Sequence, residues 1–166
     1  MSESGRRKRR PSAPGRLAFL VAQVGGLAAI RFAQRLASTG LSPAQAGVLR
    51  VVAADPGRTQ RAVSDQLGLL PSRLVVLVDE LERDGLLERR RDPDDRRNYG
   101  LSLTPTGQKA LRGIGMVAQA HGEDFLAPLS ATERETLSRL LTRLATHHDL
   151  SQDVHPGYRT LGRGRD

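Results

Sequence analysis

Residues 86–104 read LLERRRDPDDRRNYGLSLT. Asp92-Pro93-Asp94-Asp95 is turn chemistry, with proline at the second position, where its fixed φ fits a β-turn. Beyond it, Tyr99, Leu101 and Leu103 alternate with Asn98, Gly100 and Ser102, the period of a half-buried strand. Leu86–Arg90 supplies an antiparallel partner with poorer alternation. The stretch is therefore predicted to be a β-hairpin. Arg89, Arg90, Arg91, Arg96 and Arg97 crowd it. A hairpin that touches a polyanion uses such a concentration of guanidinium groups. A charged edge hairpin that resists aggregation is the plainer alternative for the first three.

What precedes the hairpin makes it a wing. Pro71 suits the first turn of a helix, and Leu74, Leu77, Val78 and Leu81 follow the i, i+3, i+4, i+7 rule before Gly85 closes it. Before that, Thr59 can cap a shorter helix with Ala62, Val63 and Leu67 turned inward, ended by Gly68. Two helices joined by a tight glycine-containing turn form a helix-turn-helix. Further upstream, Ser42, Pro43 and Gln45 make a capping box with proline at the first helical position. Val48, Leu49 and Val52 are that helix's inner stripe, and Asp55-Pro56-Gly57 stops it.

Longer helices flank this unit. The first, at about residues 15–38, is apolar nearly all round, so it should be buried on more than one side and hints at a subunit interface. Gly25 and Gly26 weaken its middle but allow close helix contact. After the hairpin, Thr104-Pro105 caps a long helix. Its Leu111, Ile114, Ala118, His121 and Phe125 lie close to a heptad seam. Ser130 and Glu133 form a second capping box, opening a helix with Leu137, Leu140, Leu141 and Leu144 as its stripe. Residues 1–14 read as a disordered basic arm and 149–166 as a flexible tail. The expected fold is mainly α with a small β-hairpin wing, in the order α-α-α-α-β-β-α-α. A winged helix-turn-helix at about 42–104 lies between dimerisation helices at about 15–39 and 105–148.

Composition narrows the function. Hydrophobic residues make up 38% of the 166, enough for a core, and aromatics only 3%, so that core is aliphatic. The absence of cysteine excludes disulfides, thiolate metal sites and thiol redox sensing. A formal net charge of +8 favours an acidic partner, nucleic acid before a membrane surface. Arg6–Arg10 before the apolar run Leu17–Ile30 mimics a signal peptide. The run is shorter than the roughly 20 residues of a bilayer span. It also continues with helical character through Arg31 and Arg35, so a cytoplasmic protein with no membrane partner is expected. No phosphate loop, nucleophile elbow or paired-histidine metalloprotease motif occurs, so neither an enzyme nor a cofactor is expected.

The candidate site residues follow from the winged-helix arrangement, in which the first turns of the second helix of the pair enter the major groove. Ser72, Arg73, Val75 and Val76 are left off the core stripe there. Arg73 can donate two hydrogen bonds to a guanine, Val75 or Val76 can meet a thymine methyl, and Ser72 a base edge or phosphate. A solvated helix surface is the alternative. Thr59, Gln60 and Arg61 open the preceding helix, whose N–H groups can hold a phosphate. Arg96 and Arg97 sit where a hairpin tip reaches a minor groove, Arg89, Arg90 and Arg91 where a stem meets phosphates, and Asp92 or Asp95 can hold an arginine in place. His147, His148, Asp149, Asp153 and His155 have metal-ligand chemistry, though imidazole also suits a helix C-terminus. His121 on the apolar seam reads first as a hydrogen-bonded interface residue, second as a sensor of ligand or pH.

These stretches resemble the multiple antibiotic resistance regulator (MarR) family. LSPAQAGVL, LGLLPSRL, VDELERDGLLERR, DPDDRR and LSLTPTG carry the likeness, over most of residues 41–107. The resemblance implies a homodimeric winged-helix transcription factor, usually a repressor of a pseudopalindromic operator in double-stranded DNA, released by a small phenolic or other effector. It places recognition-helix contacts on Ser72, Arg73, Val75 and Val76, the wing-tip contact on Arg96 or Arg97, and the structural wing aspartate on Asp95. It also implies an effector pocket between the dimer helices and the winged unit. Members often carry polar residues where this chain has Val75 and Val76, and Leu70 replaces the usual polar cap before Pro71. A non-specific, nucleoid-type basic protein is the alternative, though few aromatics serve single-strand stacking poorly.

Overall fold

The computed structural model describes residues 14–91 and 99–150. The expectations for the basic arm before residue 14, for Asp92, Asp95, Arg96 and Arg97 at the wing tip, and for Asp153 and His155 lie outside those residues. The described chain runs α1 (Pro14–Leu36), a 3-10 turn (Ala37–Thr39), α2 (Pro43–Ala54), α3 (Gln60–Leu67) and α4 (Pro71–Arg83). Then follow β1 (Leu87–Arg91), β2 (Tyr99–Leu103), α5 (Pro105–Phe125) and α6 (Ala131–His147). The fold is mainly helical with a two-stranded antiparallel wing.

The ends of the elements are set by local chemistry. Ser42 closes a complete capping box on α2: Gln45 N donates to Ser42 Oγ at 3.2 Å, and Ser42 N donates to Gln45 Oε1 at 2.8 Å. Ser130 and Glu133 build the same box on α6. Thr59 caps α3 by accepting from Ala62 N at 3.3 Å. Gly68 stops α3 in the left-handed region at φ 62°, where a Cβ would be strained.

The core is aliphatic. Leu36, Val48, Leu49 and Val52 meet Val63, Leu67, Leu74, Leu77, Val78 and Leu81, and the wing stem adds Leu87 and Leu101. β1 pairs with β2 in the register Leu87↔Leu103, Arg89↔Leu101, Arg91↔Tyr99. Leu87 and Leu101 are buried, but Tyr99, expected to turn inward with Leu101 and Leu103, is 45% exposed. Its row has the right period, yet the outer end of the hairpin extends past the core.

Two glycines lock the wing to the helices. Gly57 N donates to Leu101 O at 2.9 Å and Leu101 N donates to Arg58 O at 2.9 Å, so the segment before α3 joins the edge of the hairpin. A Cβ on Gly100 would sit 2.4 Å from Gly57 O, which is why the strand carries glycine there. A Cβ on Gly107 would sit 1.9 Å from Leu86 O. The first turn of α5 thus lies directly on the β1 entry, held by Thr104 N to Leu86 O at 3.2 Å and by Thr104 Oγ1 donating to Gly85 O at 2.6 Å.

One expectation for the first helix is corrected, that its apolar stretch is too short to cross a membrane. Within the single chain only Leu36 of α1 is buried, while Leu17, Phe19, Leu20, Val21, Val24, Leu27 and Ile30 are exposed. The apolar stretch is also longer than its uninterrupted run suggested. Helix Pro14–Thr39 covers 26 residues, long and apolar enough by length and composition to cross a membrane. Its last turns are tied to the fold instead. Phe32 packs on His121 of α5 with ring centroids 5.7 Å apart, and Arg35 pairs with Asp124 at 2.5 Å.

Candidate nucleic-acid interface

α4 has two faces because its apolar residues recur at helical spacing. Leu74, Leu77, Val78 and Leu81 are buried. The opposite line, Ser72, Val76, Asp79 and Arg83, is exposed, and Arg73 and Val75 flank it. Val75 is 41% and Val76 48% exposed, and Leu70, just before the helix, is 73% exposed. Leu70 makes no side-chain cap, whereas Ser42, Thr59, Thr104 and Ser130 cap α2, α3, α5 and α6. Serine or threonine there would stabilise the helix by about 1 kcal/mol. An uncapped, solvent-facing leucine and two solvent-facing valines are poor choices for a face that meets only water.

Beside this face lies the start of α3. Gln60, Arg61 and Asp65 border a groove of about 370 Å³ with Pro71, Leu74 and Val75 of α4. The Thr59 hydroxyl already accepts from its own helix, so it orders the helix N-terminus. Arg61 and Arg73 are exposed, and neither pairs with a described acidic residue.

The three stem arginines differ sharply. Arg89 points from β1 back onto α4, where its guanidinium pairs with Asp79 at 2.5 Å and with Glu82. With its carboxamide oxygen toward the same group, Gln60 accepts from Arg89 Nε at 2.9 Å and Nη2 at 3.0 Å. Arg90 is outward and pairs with Glu88 at 2.6 Å. Arg91 lies over the Tyr99 ring at 5.8 Å and donates to its hydroxyl at 3.1 Å, a cross-strand pair at the outer end of the stem. Partners that the sequence reading missed include Asp79, Glu82 and Arg58. Arg58 donates from Nε to Asp55 at 2.7 Å and also bonds Gln66, fixing the turn before α3. Asp79 and Glu82 are revealed only by their distance to an arginine on another element, which is not a local signal, whereas the Asp55–Arg58 pair is an i,i+3 spacing the sequence does carry.

The histidines separate as well. His147 and His148 meet edge-on at 5.0 Å at the end of α6, and among the described residues no three acidic or histidine side chains are grouped to hold a metal. His121 sits between Phe32 and Phe125, at 5.7 and 5.5 Å. Burial there pushes its pKa below the ordinary 6.5. Arg35 and then Arg31 add to the shift, and Asp124 opposes it.

The family model described as MarR family matches residues 39–98. A protein of Thauera aromatica ascribed to transcriptional regulation of the hcr operon is 40% identical over 135 residues, covering 80% of this chain and 81% of that one. This chain belongs to the MarR family. A MarR-family regulator from Rhodococcus sp. RHA1 superposes with a TM-score of 0.67 at 29% identity, covering 82% of this chain and 96% of that one. CouR, a transcriptional repressor of Rhodococcus jostii RHA1, is 30% identical in two structures. Bound to p-coumaroyl-CoA it has a TM-score of 0.66, covering 82% and 96% of the two chains. Bound to a 23-mer DNA duplex it has a TM-score of 0.68, covering 82% and 99%. As a MarR-family protein this chain is a DNA-binding transcriptional regulator and not an enzyme.

Proposed function

We propose that the protein is a cytoplasmic, ligand-responsive repressor that binds a pseudopalindromic operator as a homodimer. The observation that carries this reading is the outward face of α4. Ser72, Arg73, Val75 and Val76 are all exposed on the helix that the fold offers to a major groove, beside Arg61 and a wing rich in arginine. Ser72 and Arg73 are the polar base readers, Val75 and Val76 the apolar ones. Thr59, Gln60 and Arg61 hold one phosphate position, Arg91 a second, and Arg96 or Arg97 a minor groove, with Asp95 bracing the tip.

The exposed apolar side chains of α1, together with Leu140, Leu141 and Leu144 of α6, support the homodimer. Such a surface is unfavourable in water and is covered when two copies intertwine. Two recognition helices then reach major grooves about 34 Å apart.

A cavity of about 340 Å³ at the junction of α1, α2 and α5 supports the ligand response. It is lined by Phe32, Ala46, Leu111, Ile114, Gly115 and Ala118, with Arg50 as its cationic member. Apolar walls with one guanidinium suit an aromatic acid. It joins the dimer helices to the winged unit, so filling it can alter the separation of the two recognition helices.

Fluorescence anisotropy tests the whole reading, using duplex from the protein's own upstream region against scrambled duplex over a salt series. The expected result is dimer-stoichiometric preference that survives competitor, falls with salt, and is relieved by p-coumarate or its CoA thioester. Arg97→Ala should weaken binding and change preference at the minor-groove position. Arg73→Ala should relax specificity at one base pair by about 1–3 kcal/mol. Equal binding of both duplexes, abolished by modest salt, would instead favour a non-specific basic protein.

A further inference from the structure

Arg89 and its partners form a cluster that direct phosphate contact does not explain. The side chain is 26% exposed, much the least of the ion-paired arginines on the wing stem. One guanidinium meets two carboxylates of α4 and the carboxamide of Gln60, so β1, α4 and α3 converge on it. Its backbone N–H also donates to Glu82 at 3.4 Å. Four of the fork's five N–H groups are engaged within the protein, which leaves no pair for a bidentate phosphate contact.

The carboxylates matter more than the arginine. Asp79 lies on the exposed line of α4 that includes Ser72 and Val76, seven residues beyond Ser72. Glu82 is one turn further along the helix. Two acidic groups on the helix that approaches a polyanion should repel it, since like charges facing across an interface oppose association. Nothing else among the described residues is paired with either of them.

We propose that Arg89 is the internal counter-ion of the recognition helix. Shared by the Asp79 and Glu82 carboxylates, it offsets one of their two negative charges toward DNA and sets the angle between wing, α4 and α3, and it is a positioning residue and not a phosphate ligand. This rests on the DNA-binding reading above. Replacing it leaves two uncompensated carboxylates at the interface and unties Gln60, at the start of α3, from the wing.

The test uses the full chain and a duplex enriched by the wild-type protein from a randomised library, with anisotropy read at one salt concentration and thermal melting in parallel. Arg89→Ala is expected to weaken binding by about tenfold. Adding D79N and E82Q to R89A should recover at least half of that loss on a logarithmic scale. With Arg89 retained, the same two neutralisations should raise binding by clearly less than they do in R89A, whereas acids acting independently of Arg89 would shift both backgrounds equally, which would overturn the proposal. Arg89→Lys, which keeps the charge and loses the fork, should bind distinctly worse than wild type. R89A binding like wild type overturns the proposal, as does a loss that persists unchanged in a well-folded triple variant. R89K binding like wild type also overturns it, since lysine replaces a simple phosphate contact but not a three-way fork. Should R89A fail to melt cooperatively, the lysine and triple variants decide alone. Failure of the wild type to enrich any sequence would strike the DNA-binding specificity itself, a different outcome from any of these.

Discussion

Gly107→Ala is a substitution whose sign the structure reverses. In a helix, alanine is ordinarily preferred to glycine by about 1 kcal/mol, because it loses less backbone entropy. At position 107 the new Cβ would meet Leu86 O at 1.9 Å and Leu86 C at 2.9 Å, both backbone atoms that cannot swing aside. The first turn of α5 must lift or the Leu86 peptide must move. Either motion strains Thr104 N to Leu86 O at 3.2 Å and Thr104 Oγ1 to Gly85 O at 2.6 Å. Overpacking costs about 1–3 kcal/mol and each net hydrogen bond about 1 kcal/mol. After the helical gain is subtracted, the loss is about 2–4 kcal/mol, a fall in Tm of about 4–16 °C for a chain of this size. Thermal melting at one fixed protein concentration measures it, which holds any self-association constant. Gly113→Ala on the same helix is the control, because its Cβ would meet nothing within 4 Å and the ordinary gain should appear. Equal or higher stability of Gly107→Ala would refute the account of how the wing is seated on α5.

Two further outcomes can be measured. Val75 and Val76, at 41% and 48% exposure, should read thymine by its 5-methyl group. Substituting deoxyuridine for thymidine one position at a time in an enriched duplex should therefore weaken binding at one or more major-groove positions. Val76→Ala should abolish that sensitivity at its own position, and a duplex indifferent to every substitution would move base readout to Arg73 and the wing. The lowered pKa of His121 means that the unfolded chain binds the proton more tightly, so this residue's contribution is present above pH 6.5 and lost as pH falls through the folded value. Stability should decline on mild acidification, and His121→Gln should flatten that decline. Glu133, lowered by the Ser130 N–H and hydroxyl, loses its contribution only below 4.5, so the two windows are distinct. An unchanged pH slope in the variant would show that His121 is not responsible.

The candidate site was legible to the extent that its residues are marked by their own neighbours. Ser72, Arg73, Val75 and Val76 could be assigned to an outward face because Leu74, Leu77, Val78 and Leu81 identify the inward one. Arg89 could not be separated from Arg90 and Arg91 in the same way. The three are consecutive and chemically identical, and strand alternation alone does not show which side meets an acid. Asp79 and Glu82 decide that, from another element.

The sequence by itself determined the order of elements, where they begin and end, and the wing. Ser42, Thr59, Thr104 and Ser130 cap the helices they were expected to cap, because a cap is a bond between residues three apart. Helical and strand periods are equally local, so the helix-turn-helix and the hairpin are both written in short spans of chain. The tertiary structure alone decided what meets across those spans. Gly107 must be glycine because Leu86 passes beneath it, and Arg89 is internal because two carboxylates of α4 face it. The cavity beside Phe32 and Arg50 exists because α1, α2 and α5 converge there. The apolar length of α1 was read from sequence as too short for a bilayer, yet the helix is long enough, and burial in a core, in a partner or in a bilayer requires the same residues. Only its docked last turns, through Phe32 and Arg35 to α5, tie it to this fold.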